Sequence, residues 1–131
     1  MKRYRHPVYR GDMERFFEGC QERQKGDVYM ADGENPFCGD SLRIAYCLRD
    51  GRIREICYDG YACSLCVASA ECTLELVKGR SREEALGLTA ERILAALGGL
   101  RVGKSRMKCV ELALDVLRRS LETQKITGMS L

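Results

Sequence analysis

Asp50-Gly51 is the feature that most limits how this chain can fold. Asp-Gly between two alternating runs is a strong signal for a two-residue β-hairpin. Before it, Leu42, Ile44, Tyr46 and Leu48 alternate along one face of residues 41–48. After it, residues 52–59 return as a second strand, and a slip in alternation between Ile53 and Ile56 points to a bulge. Counted from a plain two-residue turn, Cys47 pairs with Arg54 and Cys57 with Ile44. The two cysteines then do not face each other, which argues against a hairpin disulfide.

Around the hairpin the pattern divides into elements. Residues 9–22 read as an amphipathic helix carrying Met13, Phe16 and Phe17, broken at Lys25-Gly26. Asp27 to Ala31 reads as a short strand running into a loop that holds Cys38. After Gly60 the period changes to that of a helix, with Cys66, Ala70, Leu74 and Val77 on one stripe and a stop at Gly79. Ser81 with Glu84 is a capping box for a short helix. Thr89 with Arg92 starts another, which Gly98-Gly99 closes. Met107, Val110, Leu114, Leu117 and Leu121 recur at steps of three and four, the stripe of a last helix. Strands come first and helices later, so the expected class is α+β: a small antiparallel sheet of about three strands with helices packed on it.

The chain has 131 residues, which suits one domain, with residues 1–24 as an N-terminal helical segment and 122–131 as a flexible tail. Its 22 basic and 19 acidic residues leave a charge of +3, too balanced to suggest a nucleic-acid partner. No apolar stretch is long enough to cross a bilayer. The start, MKRYRHPVYRGD, is basic but lacks the apolar segment of a secretory signal, so a reducing cytoplasm is the expected compartment. There, eight cysteines suggest metal binding, sulfur chemistry or simple burial in preference to disulfides.

Three cysteines fall at the edges of elements. Cys38 sits on the loop before the hairpin, with Asp40 two residues on. Cys63 lies where the second hairpin strand turns into a helix. Cys109 follows a plausible cap at Ser105 in the last helix, flanked by Arg106 and Lys108. A helix N-terminus favours a thiolate, so low thiol pKa values are expected at Cys63 and Cys109. Three thiolates and one carboxylate make a four-ligand set for a soft or borderline metal. The alternative is three unrelated buried cysteines, and spacing alone does not choose.

The segments N-P-F-C-G-D (35–40), D-G-R-I (50–53), G-Y-A-C-S-L (60–65), V-K-G-R (77–80) and R-M-K-C (106–109), in that order, resemble the IscU/SufU/NifU-N family of iron–sulfur cluster assembly scaffolds. The likeness covers about residues 28–121. It implies that Cys38, Asp40, Cys63 and Cys109 hold a [2Fe–2S] cluster built from iron and persulfide sulfur, with Zn²⁺ as an occupant of the same residues when no cluster is present. The implied partners are a cysteine desulfurase, apo Fe–S clients or carriers, and a second copy of the chain in a homodimer. Asp40 would be the labile ligand that lets a scaffold release its cargo. Cys109 is the expected persulfide acceptor, with Lys108 as auxiliary charge. Such a scaffold needs no turnover chemistry of its own and is not an enzyme in the strict sense.

Two departures matter. Lys108 stands where IscU-type members carry histidine, as in SufU-type members, yet the Ser64–Lys108 segment is too short for the SufU-type insertion. Leu100–Lys104 replaces the chaperone-recognition segment of IscU proteins. The competing readings are a SufU-like, zinc-dependent sulfur acceptor, a purely structural zinc interaction module, and, on Cys63-x-x-Cys66 alone, a dithiol redox protein. Cys66 lies on an apolar stripe, so core packing is favoured over a spare-thiol role. Cys20, Cys47, Cys57 and Cys72 read as structural or incidental, and His6 as no ligand.

Overall fold

The computed structural model describes residues 8–22, 27–36 and 38–129. Eight elements follow one another: α1 (Met13–Glu22), β1 (Asp27–Asn35), β2 (Asp40–Arg49), β3 (Arg52–Tyr61), α2 (Ser64–Val77), α3 (Arg82–Leu86), α4 (Ala90–Ala96) and α5 (Lys104–Met129). The strands form one antiparallel sheet in the order β1-β2-β3. The expected α+β class holds.

Asp50 and Gly51 both take positive φ, 56° and 74°, which is what a type I′ hairpin turn requires. The bulge is real and it changes the register. Leu48 faces Ile53 but Cys47 faces Glu55, so Arg54 is the extra residue. Cys57 therefore lies opposite Ala45 and Ile44 opposite Tyr58, one residue away from the pairing counted without a bulge. Cys47 and Cys57 still do not face each other.

The bulge keeps the right side chains inward. Leu42, Ile44 and Tyr46 of β2 and Ile53, Ile56 and Tyr58 of β3 share one core with α2 and α5. The Tyr46 hydroxyl, buried with its ring, meets the Ser120 hydroxyl of α5 at 2.6 Å. Gly33 lets β1 come close to α5, since a Cβ there would press on Val116 and Arg119. On the opposite sheet face α1 covers Ala45 and Cys57 with Met13 and Phe16. A disulfide joins Cys20 of α1 to Cys47 of β2. The eight cysteines are thus not all free, a correction to the expectation drawn from the compartment. The hairpin argument compared only strands and could not see a helix laid over them.

Two of the three expected caps hold, and the helix start expected at Cys63 is capped by Cys63 itself, which the sequence reading had not named as a cap. Ser81 and Glu84 form the full capping box of α3, and Thr89 caps α4. The third, at Ser105, does not hold. The last helix begins at Lys104, where the Gly103 carbonyl accepts from the Arg106 and Met107 amides, so Ser105 lies inside it. That helix runs on to Met129, through most of the segment expected as a tail. Its predicted stripe is buried at Val110, Leu114, Leu117 and Leu121.

The N-terminal helix starts later than expected, because Asp12 caps it by accepting from the Glu14 and Arg15 amides. Ahead of it, residues 8–11 run along β3 as an extended strap. The Tyr58 amide donates to the Tyr9 carbonyl at 3.0 Å and the Gly11 amide to the Tyr58 carbonyl at 2.9 Å. The buried carboxylate of Glu71 in α2 accepts from the Val8 amide at 2.7 Å and the Tyr9 amide at 3.0 Å. Arg10 donates to the Gly60 carbonyl at 2.6 Å, which ties the strap to the end of β3. His6 and the Lys25-Gly26 break lie outside the described residues.

Candidate metal centre

One end of the sheet gathers the residues singled out in the sequence. Asn35 closes β1, and its carbonyl accepts from the Cys38 amide at 3.3 Å and the Gly39 amide at 2.9 Å. Gly39 makes this turn with φ +73°, so Cys38 stands at an exposed tip and Asp40 opens β2. Gly60 lies two strand positions further along the neighbouring β3, opposite Leu42, with φ +132°. A Cβ on it would overlap the Ser41 carbonyl oxygen, so only glycine lets β2 and β3 close up here. That closure sets Cys63 beside Asp40.

The contacts are short and mutual. The Cys63 amide donates to Asp40 Oδ1 at 2.8 Å, and the Cys63 thiol lies 3.8 Å from Asp40 Oδ2. The Cys109 thiol donates to Cys38 Sγ at 3.3 Å. Cys38, Asp40 and Cys109 each offer a ligand atom, all within 4.8 Å of one another. Cys63 joins them from the Asp40 side, and its sulfur accepts from the Cys66 amide at 3.4 Å. All four predicted residues therefore converge, from a turn, a strand start, a helix cap and a second helix.

Burial is graded across the group. Cys109 and Asp40 form a buried floor, Cys63 is half-buried and Cys38 is exposed. The donor set suits a metal: three sulfurs and one oxygen able to carry negative charge, on a site open to solvent at one side. A buried carboxylate without a cation is expensive, and among the described residues the donors to Asp40 are neutral: the Cys63 amide and thiol and the Asn35 side chain.

Asn35 is a member that the sequence reading did not assign. Its buried amide donates to Asp40 Oδ2 at 3.3 Å and to Cys109 Sγ at 3.6 Å. It holds two prospective ligands in place at once, the kind of outer support that orients metal ligands. The signal was its position in N-P-F-C-G-D, directly across the ladder from Asp40.

The electrostatic expectation for Cys109 is reversed. Burial first, then the thiols and carboxylate of Cys38, Asp40 and Cys63, push its pKa up instead of down. Cys109 is the sixth residue of α5, past the first turn in which the helix N-terminus acts. Lys108 is exposed, and among the described residues it forms no ion pair with Asp40. Cys66 is a core residue, as its apolar stripe implied, and burial raises its thiol to about 12. No described helix is long and apolar enough to cross a membrane.

Comparison with known proteins gives the chain's family and fold relatives. Residues 1–127 match the family of the NifU-like N terminal domain. Iron–sulfur cluster assembly scaffold protein IscU 1 of Archaeoglobus fulgidus is 38% identical over 103 residues, 76% of this chain and 66% of its own. The chain thus spans just under two thirds of that relative. Zinc-dependent sulfurtransferase SufU of Bacillus subtilis is 26% identical over 122 residues, covering 79% of this chain and 83% of its own. Among solved structures, a protein described as an iron–sulfur cluster assembly scaffold for the SUF system of Fervidobacterium islandicum shares the fold. Its TM-score is 0.64 at 18% identity, over 90% of each chain.

Proposed function

The chain belongs to the NifU-like N-terminal domain family, and from that premise we propose that it is a scaffold on which iron–sulfur clusters are assembled and from which they are passed on. The observation that carries this reading is the convergence of three thiols and one buried carboxylate at a solvent-open end of the sheet. In it, Cys38, Asp40, Cys63 and Cys109 hold iron and sulfide as cargo, a [2Fe–2S] cluster. Asp40 is the hard oxygen donor among soft sulfurs, and its weaker hold on iron makes release feasible. Asn35 keeps Asp40 and Cys109 oriented.

Sulfur arrives as a persulfide from a cysteine desulfurase. Cys109 was the expected acceptor, yet it is buried, whereas Cys38 is exposed 3.3 Å away. We therefore assign first contact to Cys38. Its thiolate attacks the outer sulfur of the donor persulfide, and the donor cysteine leaves as a thiolate. A second exchange of the same form moves that sulfur from Cys38 to Cys109 and returns Cys38 to a thiol. The Cys109 persulfide becomes sulfide only when a reductant supplies two electrons to its S–S bond, leaving the Cys109 thiolate, so the partners in this reading are the desulfurase, an electron donor and apo Fe–S proteins.

A second reading is a zinc-dependent sulfur acceptor. It is favoured by the compactness of Cys38, Asp40 and Cys109, whose ligand atoms lie within 4.8 Å. Sulfurs bound tetrahedrally at about 2.3 Å from one Zn²⁺ are separated by roughly 3.8 Å, which suits a single ion. The two readings separate by anaerobic incubation with a desulfurase, cysteine and ferrous iron, followed by metal analysis and mass spectrometry. Iron and sulfide bound in equal amounts support the scaffold. Retained zinc with added sulfur on Cys38 supports the acceptor.

A further inference from the structure

Beside the four-residue site, the start of α2, the loop after α4 and the start of α5 flank an open cavity of about 260 Å³. Leu65, Leu100, Arg101, Val102, Gly103 and Arg106 line it. Its floor is apolar: Leu65 and Val102 pack on the core from their half-buried positions, and Leu100 is 37% exposed. Its rim is cationic. Arg101 and Arg106 line the cavity, Lys104 and Lys108 follow nearby in sequence, all four are exposed, and residues 101–108 hold no carboxylate.

These charges are not used within the fold. Arg43, Arg49, Arg52, Arg80 and Arg82 each have a carboxylate within ion-pair distance. Among the described residues, none of Arg101, Lys104, Arg106 and Lys108 has one. An apolar floor inside a charged rim is the anatomy of a protein-recognition patch.

We infer that this surface binds an acidic segment of a partner protein, with one apolar side chain seated on Leu65, Leu100 and Val102 and carboxylates facing the rim. The complement to four unpaired cations is negative charge. The cavity's volume of about 260 Å³, at the small end of binding pockets, suits a single apolar side chain. A nucleic acid is disfavoured: the whole chain carries only +3, and no aromatic residue lines the cavity for a base to stack on. Leu65 is two residues past Cys63 and Arg106 three before Cys109, so a bound segment lies next to the site whatever that site holds.

The test is fluorescence anisotropy of the full chain with a short labelled peptide, a central leucine flanked by aspartates and glutamates. The inference expects saturable binding that weakens as salt rises. Arg101→Glu and Leu100→Asp should each weaken it by about tenfold or more, through charge and through the apolar seat respectively. Both positions are exposed, and each variant should keep the wild-type melting temperature and zinc uptake. That separates failure here from failure of the metal site. Absence of binding overturns the inference. So does equal binding of a peptide with serine in place of leucine, tighter binding of a single-stranded oligonucleotide of equal charge, or a lack of effect of Arg101→Glu.

Discussion

Replacing Gly60 with alanine should damage the fold and the site together. Gly60 holds φ +132°, a region that residues with a side chain rarely enter. Forcing one there costs about 1–3 kcal/mol. A Cβ would also overlap the Ser41 carbonyl oxygen and sit 2.9 Å from its carbon and 3.0 Å from Leu42 Cα. These are backbone atoms of a paired strand, so relief requires β2 and β3 to part near Leu42. That loses one or two ladder hydrogen bonds, at about 1 kcal/mol each. The sum is roughly 2–5 kcal/mol, a large share of the ~5–15 kcal/mol of a typical domain. The strands part next to Asp40 and Cys63, so the 2.8 Å contact between them should be lost and zinc affinity should fall. The assay is urea denaturation followed by circular dichroism, paired with zinc titration. Gly51→Ala is the control, because Gly51 also has positive φ, +74°, but nothing lies within 4 Å of its Cβ direction. It should cost only about 1 kcal/mol. Equal costs for the two variants, or less than about 1 kcal/mol for Gly60→Ala, would refute the close-approach argument.

Other outcomes follow from the same contacts. Glu71→Gln weakens the carboxylate's hold on the strap by about 1–3 kcal/mol, read as faster hydrogen exchange at the Val8 and Tyr9 amides without global unfolding. Cys20→Ser opens a link spanning 27 positions, and loop entropy sets the loss near 3.5 kcal/mol, read from denaturation with and without reductant. Asp40→Ala should lengthen the life of a reconstituted cluster, measured as the decay of its visible absorption. Burial raises the Cys57 and Cys66 thiols to about 12. Folding keeps these protons while the unfolded chain loses them near pH 8.5–9, so their contribution is full below that range and is lost as pH rises towards about 12. Alkaline melts should show the decline, and Cys57→Ala with Cys66→Ala should flatten it.

The hairpin, its bulge and two caps were legible because each depends on residues close in sequence. Asp50-Gly51 needs only its own φ angles, and Ser81 reaches Glu84 within one turn. The four site residues were legible as a motif set, and their positions at element edges gave a physical reason. What escaped depends on contacts between distant residues. The strap was read as helix because its hold, Glu71, lies 62 residues from Tyr9. The Cys20–Cys47 bond depends on how α1 lies across the sheet, which no local pattern encodes. Register was missed by one residue because the bulge was noticed but not carried into the pairing. Cys109 was given a low pKa from its place along a helix, when its burial decides the matter. Asn35 was quoted within a motif without a role, because its partners are known only once β1 pairs with β2.

The most direct test of the scaffold account is anaerobic reconstitution with ferrous iron, cysteine and a desulfurase, followed by addition of an apo-ferredoxin and visible circular dichroism. The account predicts a [2Fe–2S] spectrum on the chain, abolished by Cys38→Ser, Cys63→Ser or Cys109→Ser, that converts into the ferredoxin's spectrum. A colourless protein that keeps one zinc per chain, or a cluster that forms without those three cysteines, would contradict it.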